Sequence, residues 1–218
     1  TGAFERPLVF RNNDLPGIMV AGAVETYLQR YGVRAGERGV FVVNNDMALS
    51  AAIKAHHAGI DVTVVDVRDG SGGGSGDRGQ GEGPNARSLR DLGVPIYGAH
   101  TVIAAHGARR VSGVEIAPMN RDGTLINGEA RVLACDFLAT SGGYNPIVHL
   151  HCQSGAKLDF DAETACFVPR PPNPTTPSLS AGACRGVFGL NQALTDGAEA
   201  ASAALQAIGH GTDSVADA

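Results

Sequence analysis

Residues 40–66 constrain the fold more than any other part of the chain. The apolar run at 40–43 is bounded by a glycine-containing turn, which favours a buried parallel strand. Small apolar residues from about 47 to 58 then predict a helix that ends at Gly59. The run at 62–65 predicts a second strand. Because parallel strands need a crossover between them, these residues predict a β-α-β unit.

The neighbouring segments extend this unit into a larger sheet. Residues 14–31 show helical spacing of apolar side chains, with Asp14 as a candidate cap. Residues 86–92 predict a short helix before a strand at 94–97. A β-α-β unit of this size is typical of the first half of a dinucleotide-binding fold. We therefore predict an α/β fold, a Rossmann-like parallel sheet with helices on both faces.

Short runs separated by turn residues fill residues 100–137 and predict an antiparallel meander in addition to the parallel sheet. An apolar strand at 137–140 follows. Further along, 186–189 predicts a last strand and about 196–208 a helix of small residues. Residues 69–84 carry almost no apolar side chain, so we predict a flexible Gly-rich surface loop, either natural or an engineered linker.

Composition argues against several classes of function. The chain has 218 residues, 43 % of them hydrophobic, a net charge of -5 and a pI near 5.7. An acidic protein is a poor partner for nucleic acid or an anionic membrane, since both require a basic face. No apolar run reaches the roughly 20 residues of a membrane span. The four cysteines form no C-x-x-C pair, which predicts buried free thiols in a reducing cytoplasm.

The turn inside the β-α-β unit lacks the residues that normally bind a phosphate there. The glycines of a G-x-G-x-x-G turn let the main chain and the helix start approach a pyrophosphate. Residues 44–49 are instead Asn-Asn-Asp-Met-Ala-Leu. A phosphate ~4 Å from Asp46 would meet about 1 to 4 kcal/mol of repulsion. Residues 44–46 are therefore either a structural helix cap or a remodelled ligand site.

Two further positions each allow two interpretations. Asp66 matches the acidic residue that binds a ribose hydroxyl in such folds, or it merely ends a strand. On a strand, His149 and His151 would share a face beside Cys152, as a zinc ion accepts, or they are packed side chains. No acidic or thiol cluster lies nearby to complete a ligand set, so we predict no metal site. No Ser-His-Asp order or G-x-S-x-G turn is present, so we predict no catalytic residue.

Three motifs, taken in order, resemble those of flavoproteins with two dinucleotide-binding domains. Residues 1–3 with Pro7 resemble the T-G-x motif that joins an FAD-type domain to an inserted NAD-type domain. Residues 138–146 are similar to the strand of that family that ends in G-x-x-P-N. Within residues 181–201, an Ala-Gly-Ala turn and the helix after it resemble the terminal A-G-D motif.

A closer resemblance is to the alpha subunit of heterotetrameric sarcosine oxidase. Its hallmarks appear as T-G-A-x-E-R-P at 1–7, F-x-N-N-D-x-P-G at 10–17, V-x-N-N-D at 42–46 and S-G-G-Y-N-P-x-V-H-L at 141–150, and residues 153–158 continue the match. The resemblance covers nearly the whole chain, apart from the Gly-rich loop and the tail.

This resemblance implies one part of a hetero-oligomeric oxidase that converts N-methylglycine to glycine and forms hydrogen peroxide. The carbon unit would leave as formaldehyde or pass to tetrahydrofolate. FAD and FMN and the tetrahydrofolate would bind elsewhere in the complex, and NAD would bind in the complete alpha subunit. The chain would then be a fragment with three parts. Residues 1–17 would end the first FAD/NAD-type domain, 18–145 would be the Rossmann-like second domain, and 146–218 would return to the first domain and supply the C-terminal helix.

By the same resemblance, the edges of an NAD site would be Thr1, Gly2, Gly182 and Ala183. Flavin-binding relatives carry Asp where Ala183 stands, to hold a ribose or ribityl hydroxyl. The absence of that carboxylate implies a ligand other than FAD in the usual arrangement. The alternative is that Gly182 and Ala183 form only a tight turn between strand and helix.

Three functional hypotheses follow. The first is a noncatalytic, NAD-associated scaffold of a sarcosine oxidase-like oxidoreductase that acts on CH-NH groups, with the isolated chain inactive. The second is a subunit of a related amine or imino-acid dehydrogenase acting on opines, proline or glycine. Such relatives carry a cysteine-rich iron-sulfur segment after the A-G-x motif, where Cys184 stands alone here. The third is a noncatalytic interaction module.

Overall fold

The computed structural model describes residues 2–68, 83–120, 122–126, 130–162, 164–170 and 178–209. The chain divides into two compact units. We call residues 5–143 the sheet unit, and residues 1–4 together with 144–218 the terminal unit. Thr1 and residues 69–82 of the predicted Gly-rich loop lie outside the described residues.

The described elements follow one another along the chain. They are β1 (Ala3–Glu5), β2 (Ile18–Val20), α1 (Ala21–Tyr31), β3 (Arg38–Val43), α2 (Asp46–His57), β4 (Asp61–Asp66), α3 (Pro84–Asp91), β5 (Ile96–Gly98), β6 (His100–His106), β7 (Gly113–Pro118), β8 (Arg131–Ala134), β9 (Phe137–Ser141), β10 (Tyr144–Pro146), α4 (His149–Gln153), β11 (Leu158–Asp161), β12 (Cys166–Pro169), a 3-10 helix (Gly182–Arg185) and α5 (Leu190–Ala207).

The sheet unit contains a five-stranded parallel sheet with the strand order β2-β9-β3-β4-β5. From β3 the chain passes through α2 to β4 on one side, whereas β9 lies on the other side of β3. This reversal of direction beside the first strand is the arrangement of a Rossmann-type fold. The predicted β-α-β unit and the α/β fold class are confirmed.

Both faces of the parallel sheet are covered, which explains its uninterrupted apolar strands. On one face, Phe41 and Val43 pack with the alanines of α2 and with α1 and α3. On the other face, Val40 and Val42 pack against the second sheet of the unit, the antiparallel sheet β6-β7-β8. The prediction of helices on both faces therefore differs from the observed layers. Among the described residues, the antiparallel sheet β6-β7-β8 covers the second face. Its alternating strands have an apolar side that packs there.

The first predicted helix is shorter than its apolar spacing indicated. Residues 18–20 form β2, which pairs with β9, and α1 begins only at Ala21. Asp14 therefore does not cap the helix. Instead the side chain of Glu5 accepts a hydrogen bond of 2.8 Å from the Gly22 N–H in the first turn of α1. A β-branched and apolar run that can pair with a neighbouring strand overrode the helical spacing.

The start of α3 corrects one end of the predicted Gly-rich loop. Pro84, which we had placed in the loop, is the first residue of α3, with Gly83 as its N-cap. Proline suits this position because its missing N–H would be unpaired in the first helical turn.

The terminal unit contains two short sheets and three helical segments. β1 pairs with β10, and β11 pairs antiparallel with β12. Two sequence predictions are wrong here: residues 149–152 lie in α4 rather than on a strand, and no strand forms at 186–189. At the second position, the 3-10 helix ends at Gly186 with a φ of 88°, a left-handed conformation that turns the chain out of an extended path. α5 begins at Leu190, six residues earlier than predicted.

The cysteines are all free thiols, but their exposure differs from the prediction of four buried thiols. Cys135 and Cys166 are buried, Cys184 is half-buried and Cys152 is exposed on α4. Burial, the largest influence, and the nearby charge of Asp136 raise the pKa of the Cys135 thiol to about 11. None of the described helices is long and apolar enough to cross a bilayer.

Candidate functional site

In a parallel α/β sheet, a ligand binds outside the carboxyl ends of the strands, where the connections diverge. In the sheet unit this point lies between β3 and β9. We call the ends of β9, β3 and β4, together with the residues that follow them, the carboxyl edge. It contains Ser141, residues 44–46, and residues 66–68.

Asn45 is the N-cap of α2 and also bridges the carboxyl edge. Its side-chain oxygen accepts a hydrogen bond of 3.0 Å from the Ala48 N–H. Its side-chain amide donates to the Ser141 hydroxyl at 2.8 Å and to the Asn44 side chain at 2.9 Å. The helix-cap interpretation of residues 44–46 is therefore confirmed. The bond to Ser141 joins the ends of β3 and β9 across the point where a dinucleotide would lie.

Arg68 fills the neighbouring part of the edge, between β4 and α2. Its guanidinium donates to the Asp66 carboxylate at 2.9 Å and 2.7 Å, and to the Asp46 carboxylate at 2.9 Å. Burial alone would lower the pKa of Arg68. The hydrogen bonds and charges of Asp66 and Asp46 outweigh it and raise that pKa, so the guanidinium stays charged.

Asp66 ends β4, and both of its carboxylate oxygens are occupied by Arg68. The Arg68 main-chain N–H also donates to Asp66, at 3.0 Å. A carboxylate held in this way accepts from Arg68 at both oxygens, which leaves less acceptor capacity for a ribose hydroxyl. The strand-end interpretation of Asp66 describes the observed geometry.

A dinucleotide does not fit the residues of this edge. Among the described residues of this edge, the carboxylates of Asp46 and Asp66 share the guanidinium of Arg68, so their summed charge is negative where an anion would arrive. Residues 44–49 include no glycine that would let a pyrophosphate reach the main chain. The Asn45 side chain already uses the space between β3 and β9.

Glu5 extends the polar edge toward α1. Its Oε2 accepts from Gly22, whereas its Oε1 is buried and has no hydrogen-bond partner among the described residues. Burial, the largest influence, raises the pKa of Glu5, and the polar neighbours Ser141 and Gly22 oppose that rise. Glu5 therefore places a partly buried carboxyl between the start of α1 and the end of β9.

The predicted edges of an NAD site lie in the terminal unit. Gly2 has a φ of 92° and its carbonyl accepts from the Ile147 N–H at 2.9 Å. Gly182 has a φ of 70° and begins the 3-10 helix, with Ala183 next to it. β10 pairs with β1 and packs on the 3-10 helix, so Gly2 and Gly182 flank the same strand. Thr1 lies outside the described residues.

Asp196 of α5 holds the turn at Gly182. Its carboxylate, on a residue only 7 % exposed, accepts from the Gly182 N–H at 2.7 Å and pairs with the Arg185 guanidinium. The N–H of Gly182 is therefore already used within the chain. The carbonyl of Gly182 also accepts within the chain, from the Val187 N–H at 3.2 Å.

The histidines singled out in the sequence do not form a metal centre. His151 is buried, its Nε2 lies 3.1 Å from the Lys157 carbonyl, and its Nδ1 lies 3.4 Å from the hydroxyls of Ser178 and Ser180. His149 is exposed on the same short helix. Within the part of the chain that the structure describes, no three His, Cys, Asp or Glu side chains are grouped to hold a metal ion.

Sequence reasoning missed Arg68 and Glu5 as members of the carboxyl edge. Arg68 follows Asp66 by two residues, which signals only a local pair, and its second partner Asp46 is 22 residues away. Glu5 was visible only as one letter of the T-G-A-x-E-R-P motif. Contacts at such separation depend on the strand order, which spacing does not reveal.

The chain is similar to known proteins over nearly all of its length. No protein-family model matches the chain. It is 38 % identical over 211 residues to sarcosine oxidase subunit alpha of Corynebacterium sp. (strain P-1), which is 96 % of this chain and 20 % of the relative. It is 35 % identical over 210 residues to the same subunit of Rhizobium meliloti (strain 1021), and the match covers 96 % of this chain and 19 % of that subunit. The chain thus spans about one fifth of the length of these relatives.

Solved structures show the same fold at low sequence identity. Thioredoxin reductase of T. acidophilum superposes with a TM-score of 0.64 at 18 % identity, covering 92 % of this chain and 62 % of that one. FprA of Mycobacterium tuberculosis, solved with NADPH, gives 0.64 at 17 % identity, with 96 % and 62 % covered. L-proline dehydrogenase from P. horikoshii gives 0.60 at 16 % identity, with 96 % and 34 % covered.

The resemblance first indicated by the motifs is confirmed, since the chain matches, over nearly all of its length, one segment of the alpha subunit of sarcosine oxidase.

Proposed function

We propose that this chain is a noncatalytic scaffold segment of a sarcosine oxidase-like alpha subunit. The complex would be an oxidoreductase that demethylates sarcosine to glycine and passes the one-carbon unit to tetrahydrofolate. The identity of 35–38 % to alpha subunits supports the family. The scaffold role rests on the Asn45–Ser141 hydrogen bond, which joins the ends of β3 and β9 where a dinucleotide would bind in this fold.

NAD is the cofactor that we propose for the complete subunit, with Thr1, Gly2, Gly182 and Ala183 at the edge of its site. Among the described residues, apart from the chain neighbours, no atom lies within 4 Å of the position that a Cβ would take at Gly2 or Gly182, so there is space beside both glycines. Gly182→Ala in a complete subunit should lower the NAD content. Gly155→Ala is a matched control, because Gly155 also has a positive φ, 82°, and open space. Equal NAD content in the two variants would contradict the edge role.

The compact unit of residues 1–4 and 144–218 supports the proposed domain boundary near residue 145, whereas residues 5–17 lie in the sheet unit. Among the described residues of the terminal unit, Pro146 and Cys166 are the only buried apolar residues, and Leu190 and Leu194 of α5 are exposed. A unit with so little buried apolar surface is poorly stabilised on its own. We propose that residues 1–17 and 146–218 belong to a first dinucleotide-type domain, and that FAD, FMN and tetrahydrofolate bind elsewhere in the complex.

The proposed partners are the other subunits of a hetero-oligomeric oxidase, rather than nucleic acid or a membrane. The net charge of -5 supports this choice, because nucleic acid and anionic lipid both select basic surfaces. The four free thiols support a reducing, cytoplasmic location.

A segment exchange tests the proposed function. The chain would replace the matching 211 residues in the alpha subunit of Corynebacterium sp. (strain P-1), and the assembled complex would be assayed for sarcosine-dependent hydrogen peroxide and for bound NAD. We expect both to be retained, because a scaffold segment contributes fold rather than substrate contacts. An assembled complex that oxidises proline, an opine or glycine instead would favour the amine or imino-acid dehydrogenase. An assembled complex without NAD or any oxidase activity would favour an interaction module.

A further inference from the structure

The sheet unit has the strand order of a dinucleotide-binding fold. At the carboxyl edge, where a dinucleotide would bind, its own side chains join the ends of neighbouring strands. Asn45 joins the ends of β3 and β9, and Arg68 joins the end of β4 to the start of α2. A bound dinucleotide normally makes connections of this kind between the carboxyl ends of neighbouring strands. The strand order therefore predicts a dinucleotide site, whereas the residues at the carboxyl edge do not fit a dinucleotide.

From this disagreement we infer that Arg68 is an internal counter-ion that holds the carboxyl edge closed in place of a ligand. This inference rests on the proposed scaffold role and names the side chain that maintains it. Arg68 acts here as a positioning residue, because among the described residues its guanidinium donates to the protein carboxylates of Asp66 and Asp46.

The burial of the ion group shows why Arg68 matters to its neighbours. The side chains of Arg68 and Asp66 are 20 % and 10 % exposed, and that of Asp46 is 30 % exposed. Removing the guanidinium would take from two partly buried carboxylates the counter-ion that they have among the described residues. Such an uncompensated charge destabilises a fold more than the intact pair stabilises it.

Asp46 carries the effect of Arg68 to α3. The main-chain carbonyl of Asp46 accepts from the Asn85 side chain at 3.0 Å. Gly83 lies against the Asp46 carboxylate, since a Cβ at Gly83 would come within 3.0 Å of its Oδ2. Arg68 therefore acts on the starts of both α2 and α3 through one residue, Asp46, whose carboxylate it binds and whose main-chain carbonyl accepts from α3.

The opposite edge of the same two strands supplies a matched control. Arg38 of β3 pairs with Asp61 of β4 at 3.6 Å, and their side chains are 56 % and 74 % exposed. Exposed pairs of this kind contribute little to stability. Arg38→Gln and Arg68→Gln each remove one positive charge from an ion pair that involves β4, one from each edge of the sheet.

Amide hydrogen exchange of the whole chain, without nucleotide, tests the inference. In Arg68→Gln we expect amides in the first turns of α2 and α3, among them Ala48 and Arg87, to exchange about tenfold faster than in the wild type. Arg38→Gln should leave these amides unchanged. Exchange within twofold of the wild type in Arg68→Gln, or equal acceleration in Arg38→Gln, would overturn the inference.

If Arg68→Gln does not fold, Arg68→Lys replaces it in the same measurement. Lysine keeps the positive charge of the counter-ion, so exchange at the same two helix starts should stay within about twofold of the wild type. A tenfold acceleration in Arg68→Lys would contradict the counter-ion role. Because no nucleotide, substrate or partner is involved, either result is independent of the segment exchange that tests the proposed function.

Discussion

The sheet unit and the terminal unit each contain a contacting pair of phenylalanines in very different surroundings. The rings of Phe41 and Phe137 pack edge to face, with 6.0 Å between their centroids, and both side chains are fully buried between sheet and helices. Phe160 and Phe167 face each other across β11 and β12 at 5.3 Å and are 59 % and 57 % exposed. The sheet unit therefore holds itself together through its core, whereas the terminal unit depends more on individual polar contacts.

The largest expected effect is a difference in the free energy of unfolding between a variant of the buried pair and a variant of the exposed pair. Phe41→Ala should lower the free energy of unfolding by about 3 to 5 kcal/mol, because it opens a cavity in a closed core. Phe160→Ala should lower it by less than about 1 kcal/mol, because much of that ring is already in contact with water. Urea denaturation of the two variants gives the comparison. Similar losses would show that the terminal unit has a core of its own.

The second effect concerns the polar contacts of the terminal unit. Asp196→Ala removes the acceptor for the Gly182 N–H and the partner of Arg185, so we expect it to destabilise the terminal unit by about 1 to 3 kcal/mol. Exchange of the Gly182 amide measures this loss. Glu199→Ala, an exposed carboxylate one turn further along α5, should leave that exchange unchanged. A protected Gly182 amide in Asp196→Ala would mean that other contacts hold the turn.

The sequence predicted the sheet unit far better than the terminal unit, and the contrast in burial explains why. A strand buried on both faces leaves a continuous apolar run, as residues 40–43 do, and that signal survives without knowledge of the neighbours. Residues 186–189 place two apolar residues between two glycines, but the left-handed Gly186 turns the chain and no strand of the described residues pairs with them. Only the partner strands distinguish the two cases.

The candidate site shows the same division. The missing glycines and the charge of Asp46 were evident from the residues themselves. The Asn45–Ser141 bond joins residues 96 positions apart, and it exists only because β9 enters the sheet beside β3. The charge of Arg68 was visible, but its role depends on the same topology.

A smaller, pH-dependent effect involves the carboxyl of Glu5. Its pKa is raised in the fold above the ordinary 4.5, so the folded state binds the proton more strongly than the unfolded state does. Stability should therefore fall as the pH rises from 4.5 through the folded pKa. Glu5→Gln should remove this part of the pH dependence in urea denaturation series. An unchanged pH profile would show that Glu5 titrates as it does in the unfolded chain.

Asp136 supplies a control of opposite sign. The main-chain N–H groups of Arg38 and Glu37 lower its pKa below the ordinary 3.8. Its stabilising contribution is present above 3.8 and is lost as the pH falls through the folded pKa. Asp136→Asn should therefore lower stability at neutral pH and leave the slope above 4.5 unchanged.

A further prediction compares the reactivity of one thiol from each unit. Cys152 is exposed in the terminal unit and should react readily with a thiol reagent at neutral pH. Cys135 is buried in the sheet unit, and with a pKa of about 11 only about one molecule in ten thousand is thiolate at pH 7. We expect Cys135 to react only after unfolding. Rapid labelling of Cys135 in the folded chain would show that the sheet unit opens locally.

The central claim is that the chain's own side chains fill the carboxyl edge of the sheet unit. The most direct test is to titrate NAD and NADPH into the chain and follow the amide resonances of Asn45 and Ala48 by NMR. We predict no saturable shift at these amides, because Asn45 and Arg68 already occupy the edge. A saturable shift there with either dinucleotide would contradict the account.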